Sequence, residues 1–324
     1  MSGCRKGIMM AVISRQLGER IADKKRRLDS LRPLRADTLH YLHDELRVVL
    51  TYHSNAIEGN TLDLKETRLV LEEGLTVGGH TLREHTETTN HASAFDYLEQ
   101  LVRGVWPLDA NSILDLHRLV MAGLIPLPGA LREVAVYISG VSWTPPHPSE
   151  VPGLLDRWIK WVAGESQDYH PIEWAGIAHA QFEAIHPFVD GNGRVGRLLM
   201  NMMLMQEGYP PAILLRQWRS EYIAALQLAQ LAGKYRPIVN LVGRAVEQGL
   251  DLYLNAIDTA QAAFIPLPEL AAEFGYDVNY LGKLARSGSI AATKRAGRWY
   301  TRRQDIVDYK ARVETETRGH HRGK

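Results

Sequence analysis

The chain has 324 residues, 45% hydrophobic and 23% charged, with a formal net charge of +1. That length points to two or three domains, and the near-neutral balance excludes a uniformly basic nucleic-acid binder while leaving room for a local basic patch. The single cysteine, Cys4, excludes an intrachain disulfide framework and fits a reducing compartment; no apolar run nears the ~20 residues that span a bilayer, and Ile8 to Ile13 is too short for a secretory leader, so a cytoplasmic protein without a membrane partner is expected.

Taken in chain order, the first half reads as helix. Val12, Leu17, Ile21, Leu28 and Leu31 recur at helical spacing until Pro33 interrupts them. A second helix is expected from about Asp37 to Glu58, stopped by Gly59 and Asn60, which tolerate left-handed geometry. Asp63 to Glu66 resembles a capping box opening the next helix, and Thr81 to Val102 is helical again. Arg132 to Trp143 differs: β-branched and aromatic residues flank a Ser139–Gly140 turn signal, which predicts a hairpin closed by Pro145 and Pro146. A long helix covers about Pro237 to Ala263, and the texture changes near Phe264, where Pro266 and Pro268 punctuate the chain. The expected divisions are residues 1–110, a helical N-terminal region; 111–263, a core; and 264–324, a small C-terminal domain. Its charged tail, from Glu314 onward, is expected to be mobile.

The run His186 to Arg197, HPFVDGNGRVGR, concentrates unusual residue types. Gly191, Asn192 and Gly193 form turns and let backbone approach a ligand closely. The helix that follows, with Leu198, Leu199, Met202 and Met203 as its buried stripe, offers free N–H groups and a dipole that favour an anion. Arg194 and Arg197, three residues apart, share a helix face and suit a polyphosphate. Asp190 can hold a Mg²⁺ that bridges phosphate oxygens, and His186 can act as general base on an incoming hydroxyl. Each feature alone has an ordinary structural reading. Their conjunction within one short segment points to nucleotide chemistry.

This run resembles the Fic motif of the Fic/DOC family: His-Pro-Phe, an acidic residue, Gly-Asn-Gly-Arg and a second Arg, all matched. The resemblance covers roughly residues 12 to 260, including the expected hairpin, the helix at His170 to Glu173 and that at Leu198 to Asn201. It implies an all-α Fic bundle with a β-hairpin flap. It also implies a protein adenylyltransferase that moves AMP from ATP to a Ser, Thr or Tyr hydroxyl of a target protein, with Mg²⁺ as cofactor. His186 would be the base and Asp190 the metal ligand. Gly191, Asn192 and Gly193 would form the anion hole, with Arg194 also on the phosphates; Arg197 would reach the γ-phosphate, and Tyr222 would flank adenine. The family's adenine-side asparagine has no clear counterpart; Gln230 lies one residue out of register.

Ser54 and Glu58 lie four apart near a helix C-terminus, where a carboxylate opposes the helix dipole unless a cation meets it. Ser54 to Asn60 resembles the family's inhibitory motif. The resemblance implies that Glu58 pairs with Arg197, holds transfer back, and in some arrangements helps release AMP from a modified target. Residues 266 to 312 resemble a winged helix-turn-helix, with Lys283, Arg286, Lys294, Arg295, Arg298, Arg302 and Arg303 and no acid between Asp277 and Asp305. DNA is one partner this suits; a protein-binding module or a solvated face suits it equally. An enzyme acting on a protein, itself included, stands beside a DNA-associated regulator whose Fic fold senses nucleotide. A homodimer, another nucleotide donor and phosphocholine stay open; the intact His186 favours the enzyme.

Overall fold

Residues 12–105, 107–137, 143–165, 169–295 and 297–320 are described by the computed structural model. Helices α1 (Arg15–Ser30), α2 (Ala36–Glu58), α3 (Leu64–Glu73), α4 (Leu82–Arg103) and α5 (Ala110–Val120) come first. Then follow α6 (Val151–Lys160), α7 (Pro171–Ile185), α8 (Asn192–Gln206), α9 (Arg219–Ala232) and α10 (Arg236–Ala262). The chain divides into two compact units, Met1–Tyr253 and Leu254–Lys324, and the division falls inside α10.

The N-terminal helices begin and end where side-chain chemistry requires. α2 buries Leu42, Leu46, Leu50 and Ile57 and stops at Gly59, whose φ of 106° no residue with a Cβ adopts cheaply. α3 and α4 open with full capping boxes, Asp63 with Glu66 and Thr81 with Glu84, each satisfying two otherwise orphaned backbone donors. α8 is the central helix. It packs against α7, α4, α5 and α2 and buries residues on every face. Three of those buried residues are Asn192, Arg194 and Arg197, so a site lies in its first turns, where each polar group must find a partner.

The expected hairpin does not appear among the described residues. Residues 132–137 carry no strand pairing, and residues 138–142, which would form its turn, lie outside the described residues. α5, α6 and α9 were not marked by periodicity; α6 begins Val151-Pro-Gly, which reads locally as a turn.

The C-terminal unit contains β1 (Ile265–Pro266), α11 (Leu267–Phe274), α12 (Val278–Ser287), β2 (Ala292–Arg295), β3 (Arg298–Thr301) and α13 (Arg303–His320). Its antiparallel sheet has the order β1-β3-β2, with Thr293 opposite Tyr300 and Lys294 opposite Trp299. Leu267, Leu270, Leu281, Leu284, Ile290 and Ile306 make its core. α13 runs past residue 312, where the winged-helix resemblance ends, through residues 313–320, since neither Gly nor Pro interrupts the chain between Gly297 and Gly319.

Candidate active site

The site forms where α7 hands the chain to α8. α7 ends on His186, which takes left-handed geometry (φ 50°, ψ 61°), a conformation that strains a residue bearing a Cβ by roughly 1 kcal/mol. Arg132 holds that turn. Its guanidinium donates to the carbonyls of His186 and Pro146, each at 2.7 Å, and to Val134 at 3.2 Å, while its backbone N–H donates to Pro187 at 2.9 Å. Nδ1 of His186 lies 3.3 Å from the Glu183 carbonyl, which can only accept, so Nδ1 carries the proton and Nε2 is the free base. Burial lowers the imidazole pKa to about 4, with the Arg132 charge adding to that effect; the ring is neutral at pH 7.

The loop after His186 is clasped by Asn192. Its Oδ1 accepts the Phe188 N–H and its Nδ2 donates to the Phe188 carbonyl, both at 2.9 Å. The Phe188 ring stacks flat on His117, centroids 3.7 Å apart at 4°. His117 Nδ1 accepts the Gly129 N–H at 2.8 Å, so Nε2 donates to the Asp190 carbonyl at 3.1 Å. Gly191 then turns with φ 81°, and a Cβ there would meet Met121 Sδ at 2.7 Å. Among the described residues no side chain caps the N-terminus of α8. The anion position expected from the glycine-rich run would lie at its first N–H groups.

The two arginines part company here. Arg194 points toward α4 and α5, 3.5 Å from Glu87, 3.5 Å from Met121 Sδ and 3.4 Å from Asp190. Arg197 turns to α2, donating to Ser54 Oγ at 3.0 Å, the Ser54 carbonyl at 2.9 Å and Glu58 Oε1 at 2.8 Å. They do not share one exposed face; both are buried. Burial works against the Arg197 charge, but Glu58 and its other neighbours outweigh it and raise the guanidinium pKa. The Glu58 carboxylate also lies over Gly193: a Cβ on Gly193 would collide with Oε1. It therefore stands at the first turn of α8.

A cleft of about 390 Å³ opens beside these residues, with Glu58, His186, Asp190, Gly193, Tyr222 and Gln230 among its walls. Tyr222 is 4% exposed, its Oη 2.8 Å from His179 Nε2 and its ring 5.9 Å from the Arg197 guanidinium carbon. Asp190 is half exposed; Oδ1 accepts the Gly191 N–H at 2.6 Å and Oδ2 meets Arg83 at 3.0 Å. Among the described residues no three acidic or histidine side chains cluster as a metal cage. A single carboxylate beside an anion position fits a Mg²⁺ completed by phosphate oxygens and water.

Several residues of this site carried no local signal. Arg132, His117 on α5, and Arg83 and Glu87 on α4 meet the motif only in three dimensions. Glu183 had one available sign, an acid three residues before His186 in a largely apolar helix. In the C-terminal unit, Lys283 and Arg286 are exposed on α12, and Lys294, Arg295 and Arg298 on β2 and β3. The Arg295 guanidinium lies 5.2 Å from the Phe264 ring centroid and that of Arg302 4.8 Å from it.

Residues 107–204 match the family model described as the Fic/DOC family. A protein adenylyltransferase Fic of Drosophila grimshawi is 41% identical over 207 residues, 63% of this chain and 42% of that protein. Two solved structures share the fold. Fic-1 from C. elegans is 33% identical with a TM-score of 0.69, over 76% of this chain and 73% of that one. A Fic-domain-containing signaling protein from Bacteroides thetaiotaomicron is 26% identical with a TM-score of 0.69, over 74% and 98%. The chain spans less than half the length of the curated relatives it matches.

Proposed function

The chain belongs to the Fic/DOC family, and we propose that it is a protein adenylyltransferase whose transfer site is held in check by Glu58. The observation that carries the reading is the neutral His186, its Nε2 free, beside an uncapped helix N-terminus in one cleft. A Ser, Thr or Tyr hydroxyl of a target protein gives its proton to Nε2 as its oxygen attacks the α-phosphorus of ATP. The new O–P bond forms as the bond from the α-phosphorus to the bridging oxygen breaks, and pyrophosphate leaves with the electron pair. N–H groups of Asn192 and Gly193 stabilise the charge that develops, with little reorganisation because the Asn192 clasp fixes their positions, while the Gly191 N–H is held by Asp190. Arg194 neutralises the same end of α8, Arg197 takes the γ-phosphate once released from Glu58, and Tyr222 and Gln230 line the nucleobase end. Asp190 would hold Mg²⁺, which when bound supplies charge neutralisation between phosphates. Most of the catalysis is then positioning and electrostatics.

Glu58 restrains the site in two ways: it occupies Arg197, and it places a negative charge where a phosphate must sit. Its half-exposed position in the cleft also suits a second role, orienting a water for removal of AMP from a modified target. The C-terminal unit, which we read as a winged helix, carries exposed cations that suit DNA phosphates. The test of transfer is ATP labelled separately at the α- and γ-phosphorus, given to the Glu58→Gly form. Label passes to protein from the α position only; transfer from the γ position would make the protein a kinase and overturn the reading.

A further inference from the structure

Glu183 sits on α7, 6% exposed, and forms part of the same cleft wall. Its Oε1 lies in the space a Cβ on Gly196 would fill, one residue before Arg197 on α8. Glycine at 196 is what lets a carboxyl enter between the two helices. Oε1 makes no hydrogen bond among the described residues, and neither does Nη1 of Arg197. A buried acceptor and a buried donor thus stand unpaired on adjacent helices, although each is costly to leave so. The charged and titratable groups around Glu183 are Glu58 from α2, Arg197 from α8, Tyr222 from α9, and His179 and His186 at its own helix. His179 is buried and neutral, its Nε2 engaged by Tyr222.

We propose that Glu183 is the alternate counter-ion of Arg197: when Glu58 is withdrawn, the Glu183 carboxylate takes the guanidinium and competes with the triphosphate for it. The inference rests on nucleotide binding in this cleft. With Glu58 in place, burial and the Glu58 charge hold the Glu183 carboxyl up at about 8 against the pull of Arg197, so it is mostly neutral at pH 7. Removing Glu58 removes one of the two effects that raise it and leaves Arg197 without an anion. Glu183 then ionises at lower pH. A triphosphate entering beside it restores a negative neighbour and drives the carboxyl to take its proton back. Glu183 is accordingly a positioning residue, a second restraint on Arg197 that acid relieves.

The test is ATP affinity of the full chain carrying Glu58→Gly, measured from pH 6 to pH 9, alone and combined with Glu183→Gln. Binding to the Glu58→Gly form should weaken with rising pH, approaching about tenfold per unit once Glu183 is ionised, because one proton is linked to binding. The Glu58→Gly/Glu183→Gln form should bind more tightly at pH 8 and lack that slope. Calorimetry in buffers of different ionisation enthalpy should show proton uptake at pH 8 by the Glu58→Gly form, where a terminal phosphate with a pKa of about 6 is already ionised. This needs no change at Glu183 and stands if the double variant does not fold. Parallel pH profiles for the two forms, or no proton uptake at pH 8, overturn the proposal. Absence of ATP binding by the Glu58→Gly form even at pH 6 overturns the nucleotide reading itself, and the proposal with it.

Discussion

Replacing Arg132 by Met removes a guanidinium that fastens the His186 turn while keeping its aliphatic stem. Arg132 is 3% exposed and donates at 2.7 Å to both His186 and Pro146 carbonyls. At ~1.5 kcal/mol for each charge-assisted bond, the low end of its range, these two contribute about 3 kcal/mol. In a unit of this size that lowers the melting temperature by roughly 6–12 °C. The left-handed geometry of His186 then lacks its restraint, and a displacement of ~1 Å at the base costs about a hundredfold in rate. ATP affinity should barely change, because the N–H groups of α8 and the Arg197 guanidinium do not touch Arg132. The assay is single-turnover transfer of α-labelled ATP by Glu58→Gly with and without Arg132→Met at a temperature where both are folded, beside ATP binding. A folded Arg132→Met form transferring within about threefold of its parent would refute the argument, since the turn would then need no fastening.

Acid should destabilise the fold early. His91, His117, His179 and His186 all have pKa values lowered by burial, to about 3, 4, 3 and 4. Below pH 6.5 the unfolded chain binds protons that the folded one refuses, so stability falls from pH 6.5 toward pH 4, by up to ~1.4 kcal/mol per histidine per unit. Glu183, raised to about 8, works in the opposite direction, gaining stability as pH falls from 8 to 4.5, but it is one group against these four and against His53 and His170, whose pKa values burial also lowers. Urea midpoints at pH 7 and pH 5 check this; an unchanged midpoint would contradict it. Asn192→Ala loses both bonds to Phe188 and should cost about 2 kcal/mol in stability together with most ATP binding, whereas an Asn192→Ala form that binds ATP normally would show the clasp to be dispensable. Short duplex DNA should bind the full chain with a steep salt dependence, and Lys283→Ala with Arg286→Ala should reduce that slope by about one unit for each phosphate no longer neutralised; salt-independent association would remove the DNA reading.

What the sequence disclosed and what it hid divide along physical lines. Residues whose role is backbone-local were legible. Gly59 and the Asp63–Glu66 box mark helix ends, and Gly191 to Gly193 mark a turn feeding a helix, because their conformational demands are written in residue type. The Glu58–Arg197 pair was legible only through resemblance, since 139 residues separate the two. Arg132, His117 and Glu183 were not legible. An arginine opening a β-rich segment, a histidine in an amphipathic helix and an acid in an apolar one each have ordinary local readings. Their partners are backbone carbonyls and glycine-made spaces that only packing brings near. The shared face assigned to Arg194 and Arg197 failed for a related reason: spacing fixes where two side chains leave a helix, and partners on α4 and α2 decide where they go.

In the proposed function His186 to Arg197 transfers AMP and Glu58 holds it back. ATP-dependent AMP labelling of protein, its own chain included, should be compared for the natural sequence, Glu58→Gly and Glu58→Gly with His186→Ala. The account predicts weak labelling by the first, strong labelling by the second and none by the third. Equal labelling by the natural sequence and Glu58→Gly, or labelling that persists without His186, would contradict it.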